Sequence, residues 1–318
     1  ASNNTSIGTC SLLSNTTGSQ LVAVGVNALC SNTTGTENTA IGRNSTSSTT
    51  TGGFNTAVGK ASLCFNTTGS NNNALGFEAL KSNTTASNNT AVGTCSLNAN
   101  TTGASNVGVG YLALDTNTTG NSNTAVGRSA LLCNSTGSAN TAVGQEALCL
   151  NTAGNNSAFG YHTLKCNTSG TSNTAIGYVA LQKNTGSNNT AVGRDALCSN
   201  TTGTSNTAVG KDSLKVNTTA GENVAIGQNA LAANTTGARN VAIGQASLDA
   251  NTTACDNTAV GKSALGANTT GAKNVAIGSL AISQGDGSAC SVALGYRALY
   301  NNTGNFNTGV GTDSLFSL

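Results

Sequence analysis

Residues 189–278 read NTAVGRDALCSNTTGTS, NTAVGKDSLKVNTTAGE, NVAIGQNALAANTTGAR, NVAIGQASLDANTTACD, NTAVGKSALGANTTGAK and NVAIG. The complete blocks are 17 residues long and superimpose without a gap. A fixed period of this size is the signature of a solenoid, in which each unit is one small supersecondary element stacked on the next.

Working outward, the Gly that closes each A-V-G or A-I-G step serves as an anchor. Anchors fall at Gly8, Gly25, Gly42, Gly59, Gly76, Gly93, Gly110, Gly127, Gly144, Gly160, Gly177, Gly193, Gly210, Gly227, Gly244, Gly261, Gly278, Gly295 and Gly311. Every interval is 17 except three of 16, so residues 1–318 form one repeat array of about 19 rungs. The fold class expected is all-β: a parallel β-solenoid, of the β-roll or β-helix kind. Two of the short intervals have lost one Thr of N-T-T-G, at residues 184–186 and 302–304, and the third loss is placed just after Gly154. Length variation marks a turn, so N-T-A-V-G and x-A-L are read as the strands.

Period-two alternation divides the first strand into two faces. The residue before the anchor is Val, Ile, Leu or Phe and the third before it is mostly Thr or Val, so these two are expected to face the core. The Ala or Gly between them is expected on the outside, packed closely against a partner chain. Leu four residues after the anchor is read as the core contact of the second strand. Each rung then holds about three medium-sized apolar side chains, burial worth roughly 1.5–3 kcal/mol each. Ordering each backbone costs about 1–2 kcal/mol, so a rung is stable only when stacked.

Two rungs depart from the pattern. Residues 43–59 include RNSTSSTTTGG, with Thr46 where Leu belongs, and are expected to be weak or bulged. Residues 283–291 replace N-T-T-G with Gly285-Asp286-Gly287. Residues 312–318, with Phe316, are read as an end cap or a contact with a neighbouring molecule.

The steps Asn240-Val241-Ala242-Ile243-Gly244 and Asn274-Val275-Ala276-Ile277-Gly278, followed by Ala or Ser and then Leu, resemble the head repeats of trimeric autotransporter adhesins. They are also similar to repeats of tail fibres and other microbial surface fibres. The resemblance runs along the whole chain. It implies a parallel β-roll, three chains associating through small and aliphatic side chains, and a function in adhesion.

The chemistry in the sequence is sparse. Charged residues are 8% of the chain and the net charge of +2 is spread without a basic run or aromatic interleaving, so no nucleic-acid partner is expected. No apolar run reaches the roughly 20 residues that span a bilayer. The chain starts at Ala1 and has no Met, and is read as a processed or partial chain. Ten Cys without metal-type spacing point to an oxidising, extracellular compartment.

Asn15, Asn32, Asn66, Asn83, Asn100, Asn117, Asn134, Asn167, Asn200, Asn217, Asn234, Asn251 and Asn268 share one place in the repeat and satisfy N-x-S/T. Two readings stand side by side: glycan acceptors on a surface turn, or a ladder of stacked side-chain amides. Cys133, Cys149 and Cys166 lie on neighbouring rungs at a spacing compatible with a disulfide or cross-link. Their offsets of six, five and six from the anchor face opposite sides, and burial as small hydrophobes is the alternative.

No catalytic residue, metal site or cofactor is expected. The one His, His162, has no metal-ligand companion in its turn slot. Asp195 and Asp212 share a slot on adjacent rungs, but Arg194 and Lys211 beside them make a neutralised surface cluster the better reading. The function expected is an extracellular fibre shaft or adhesin head, on a cell-surface appendage or virion fibre. It would self-associate and meet a host-surface or glycan receptor. The alternative is an ice- or carbohydrate-binding β-helix.

Overall fold

The computed structural model describes residues 2–316. It is an all-β parallel solenoid with no helix among the described residues. Each rung contributes one three-residue strand, from β1 (Thr5–Ile7) to β19 (Thr308–Val310). The chain forms two compact units, Ala1–Ala158 and Phe159–Leu318.

In the first unit β1 to β9 (Thr141–Val143) pair in chain order, all parallel, with registers such as Thr5↔Val22 and Thr39↔Thr56. In the second, β11 (Thr174–Ile176) to β19 do the same, as in Thr207↔Val224. Where the interval shortens, Thr174 still pairs Thr190, so the turn absorbs the missing residue and the register is kept. The degenerate rung at residues 43–59 is not bulged, since Thr56, Ala57 and Val58 continue the ladder from Thr39, Ala40 and Ile41.

The strand faces are the reverse of the expectation. The central Ala of each strand is the core residue: Ala23, Ala40, Ala91, Ala142, Ala208 and Ala242 are completely buried. The flanking residues point out, leaving Ile41, Ile176 and Ile277 about two-fifths exposed. The interior is narrow. A methyl built on Gly108, which takes the place of that Ala, would lie 2.5 Å from Ser96 Oγ and touch Leu97 Cγ at 3.4 Å. With Leu reaching in from the opposite wall, only Ala or Gly fits on the strand side.

The x-A-L segment is not a second strand. It is a turn in which alternate residues adopt left-handed backbone, as at Asp195 (φ 59°) and Leu197 (φ 50°). Left-handed backbone costs a non-glycine residue of the order of 1–2 kcal/mol. Complete burial of Leu29, Leu63, Leu97, Leu131, Leu197 and Leu231 offsets it. The preceding Ala or Ser is also buried, and Ser213 and Ser247 satisfy their hydroxyls by donating to the carbonyls of Gly210 and Gly244 at 3.0 Å.

The anchor glycine ends each strand for a steric reason. Gly227 has φ +138°, and a Cβ on it would lie 2.4 Å from the carbonyl oxygen of Gly244 on the next rung. No other residue allows rungs to stack there.

The shortened turns share one solution. Asn151, Asn184 and Asn302 donate to the carbonyls of Ala153, Gly186 and Gly304, two residues on. In a full-length turn the acceptor lies three on, as from Asn200 to Gly203. The loss near Gly154 is therefore one Thr of N-T-T, with Ala153 in the turn-glycine slot, rather than a residue after Gly154. Gly285-Asp286-Gly287 is accommodated differently: Asp286 Oδ1 accepts from the Thr269 N–H at 2.9 Å and its hydroxyl at 2.6 Å. At the C-terminal end Phe316 stacks on Tyr300, with ring centroids 5.0 Å apart, and its carbonyl accepts from Asn301 N–H. It extends a side-chain file rather than folding across the rung. Ser317 and Leu318 of the expected cap lie outside the described residues.

Candidate functional site

The recurrent Asn of N-T-T proves to be interior. Of the thirteen named above, Asn15 is half-buried and the other twelve are fully buried. Along most of the column the amide donates to the side-chain oxygen of the preceding rung: Asn83 to Asn66 at 2.9 Å, Asn217 to Asn200 at 2.8 Å, Asn251 to Asn234 at 2.8 Å. The same Nδ2 also donates to the turn carbonyl of its own rung, as Asn200 does to Gly203 at 2.9 Å. A glycan must replace one hydrogen of that nitrogen, and here the nitrogen is enclosed and fully engaged. The glycan-acceptor reading of this column is corrected in favour of the amide ladder.

A second ladder was not singled out from the sequence. From Asn38 to Asn274 the Asn that opens the N-T-A-V-G step is buried too, and its Oδ1 accepts the backbone N–H of the equivalent residue one rung on, as Asn189 does from Asn206 at 3.0 Å. Asn189 Nδ2 donates to the Gly203 carbonyl at 2.9 Å, so both Asn columns converge on one acceptor. The first Thr of N-T-T makes a third ladder, with Thr201 and Thr235 hydroxyls donating to the carbonyls of Thr218 and Thr252. The recurrence of Asn at two offsets in every block was the signal available.

Cys133, Cys149 and Cys166 form no disulfide with one another, and none occurs among the described residues. Cys133 N–H donates to the Cys149 carbonyl at 2.8 Å, but Cys149 is buried and Cys133 only half-buried. Burial pushes the Cys198 thiol above its ordinary range, and does the same for Cys95 with help from Asp115 and Glu78.

The charged residues lie away from the strands. Each of them, thirteen basic and eleven acidic, falls outside the N-T-A-V-G step. Many are paired: Arg194 with Asp195 at 3.1 Å, Lys215 with Asp212 at 2.9 Å, and Arg239 with Asp256 at 2.7 Å. Burial works to raise the Asp212 pKa, but Lys215, Lys211 and Arg194 outweigh it and hold the carboxyl low. Asp115 and Asp249 are half-buried, and desolvation pushes their pKa values up. His162 stacks on Tyr161 with centroids 3.7 Å apart, and Tyr161 stacks on Tyr178 at 5.3 Å.

What remains is a strand face without charge. In the second unit it carries Thr174 and Ile176, Thr190 and Val192, Thr207 and Val209, Val224 and Ile226, and so on to Thr308 and Val310, in register and pointing outward. The first unit presents the equivalent pairs from Thr5 and Ile7 to Thr141 and Val143. Each file repeats at about 4.8 Å, and the two files stand about 6.6 Å apart along the strand. No group of acidic, Cys or His side chains suited to a metal ion occurs among the described residues, and no helix is long and apolar enough to cross a membrane. Compared with known protein families and with curated proteins, the chain matches none.

Proposed function

We propose that the chain is a structural and adhesive extracellular fibre element, and that its uncharged strand face seats a second copy of the chain. One observation carries the reading: all the charge lies on other faces, while the residue before each anchor stays aliphatic or Phe though partly in water. Solvent imposes no such restriction on an exposed position. A surface that buries a partner does.

With about two-fifths of the side chain exposed at Ile176, Ile226 and Ile277, each has roughly 0.6–1.2 kcal/mol left to gain from full burial. Nine rungs in the second unit then bring about 5–11 kcal/mol, within the range of the cost of association. Long arrays thus associate where single rungs would not. A paired or bundled solenoid displays its variable turns at a regular repeat, and weak contacts with a receptor then add through avidity.

The test is sedimentation velocity on the chain at micromolar concentration, beside a Val209→Lys/Val260→Lys variant. Oligomers in the parent and monomers in the variant, with the same circular dichroism, are expected. A parent that stays a monodisperse monomer at tens of micromolar overturns the reading. Ice binding is the second reading, favoured by the outward Thr file of Thr174, Thr190 and Thr207 rather than by N-T-T. Thermal hysteresis from a monomeric chain would carry it.

A further inference from the structure

The rung that follows Gly42 departs from its neighbours on a different face. Ser47 and Ser48 stand where the flanking rungs carry Cys30-Ser31 and Cys64-Phe65. Their small side chains open a cavity of about 480 Å3 on the variable face of the first unit. Asn27, Asn44, Ser31, Ser47, Ser48 and Phe65 line it. Cys30 and Cys64 also line it, and Ser47 Oγ lies 3.3 Å from Cys64 Sγ.

The chemistry of this lining is selective. No charged residue borders the cavity, so neither an anion nor a cation finds a counter-charge there. Phe65 is half exposed and offers an aromatic face. Asn27 Nδ2 donates to Asn44 Oδ1 at 3.1 Å, which leaves the Asn27 carbonyl as an acceptor and amide hydrogens of both residues as donors. The Ser hydroxyls can each donate and accept. A ring with an apolar C–H face and a rim of neutral hydroxyls complements such a set: the C–H face lies on Phe65 and the hydroxyls exchange hydrogen bonds with the Asn and Ser groups. The volume suits a ligand of one or two hexose rings, at the lower end of about 300–1,000 Å3 for small-molecule sites.

We infer that this cavity is a binding subsite for a neutral saccharide, with Phe65 as its stacking platform and Asn27, Asn44 and Ser48 as its hydroxyl-reading groups. The small side chains of Ser31, Ser47 and Ser48 beside the Phe65 ring are then what make the site. It lies away from the strand face and is independent of self-association.

The chain contains no Trp, so Phe65→Trp places a sole indole beside the cavity. Titration of this variant with neutral glucose-, galactose- and mannose-containing di- and trisaccharides is expected to give a saturable shift in indole emission with at least one of them. A sialylated trisaccharide serves as the charged comparison and is expected to bind more weakly. Calorimetry on the unaltered chain should detect the same saccharide. Phe65→Ala should weaken it by roughly tenfold, and Ser48→Leu, which fills the cavity, should abolish it. Absence of saturable binding by any neutral saccharide in both assays overturns the inference, as does binding that survives Ser48→Leu. Sedimentation of the same samples reports on the strand face separately, so failure of one reading is told apart from failure of the other.

Discussion

Thr46 occupies the buried column that is Leu29 one rung before and Leu63 one rung after. Replacing it by Leu is expected to stabilise the chain, and the size of the effect follows from its surroundings. Thr46 is completely buried, and its hydroxyl has no hydrogen-bond partner. An unsatisfied buried hydroxyl costs about 1–3 kcal/mol. The added apolar volume contributes roughly one to two buried carbon groups at about 0.8 kcal/mol each. Leu at left-handed backbone is already accepted at Leu29 (φ 49°) and Leu63 (φ 50°), whereas Thr46 (φ 46°) holds a β-branched side chain there. The sum is about 2–5 kcal/mol in favour of Thr46→Leu.

A repeat array opens regionally, so the assay must be local. Hydrogen exchange of the Leu29 and Thr46 amides, which donate to the carbonyls of Ser45 and Ser62, reads the opening of this rung. Exchange slower by about thirtyfold or more is expected in Thr46→Leu, with a higher denaturation midpoint. Thr46→Val removes the hydroxyl while keeping the branch, and should recover only part of the gain. Unchanged or faster exchange in Thr46→Leu would refute the assignment of this column as the core.

The amide ladder and the buried carboxylates give two further expectations. Asn217→Ala removes the donor to Asn200 and Ala220 and the acceptor of Asn234, and should cost about 2–5 kcal/mol by denaturant unfolding. Thr202→Ala, on the exposed second Thr of the same turn, should stay within about 0.5 kcal/mol. For Asp249 the folded pKa lies above its unfolded value because of burial, so the ionised carboxylate destabilises the fold at neutral pH and protonation relieves it. Asp249→Asn should therefore raise the denaturation midpoint at pH 7, with the advantage vanishing below about pH 4; a gain that persists there would sink the desolvation argument.

The period of residues 189–278 made the solenoid legible, because only a stacked unit repeats its anchor Gly at a near-constant interval. The orientation of the strand was not legible. Val or Ile at one position and Ala at the next suggest, by hydrophobicity alone, that the larger residue is inside. Volume decides otherwise, since in-register stacking places each side chain against its own kind at about 4.8 Å, and the interior is already filled by Leu97 and its equivalents. Nor does Leu197 announce a left-handed backbone, because Leu has no preference for that region. In the rung at residues 43–59 the departure is chemical rather than geometric: Thr46 and the Asn32 side-chain oxygen are left without partners while the strand register is intact.

The break at Asn32 shows why the ladder is Asn at nearly every rung. An amide carries donor and acceptor together, so an Asn is able both to give to the rung before and to receive from the rung after, as Asn217 does. Thr49 interrupts the column, and Asn66 Nδ2 reaches the Thr49 hydroxyl at only 3.4 Å, against 2.9 Å from Asn83 to Asn66. Thr49 supplies no amide donor to Asn32, whose oxygen is stranded in the interior. A single substitution thus propagates one rung in the direction opposite to donation. Positions inside the rung are constrained in this way by both neighbours, whereas the positions around Ser47 and Ser48 border open space on one side. New chemistry can accumulate on the variable face without disturbing the stack, and the strand face, uncharged and regular, follows the constraint of whatever lies against it.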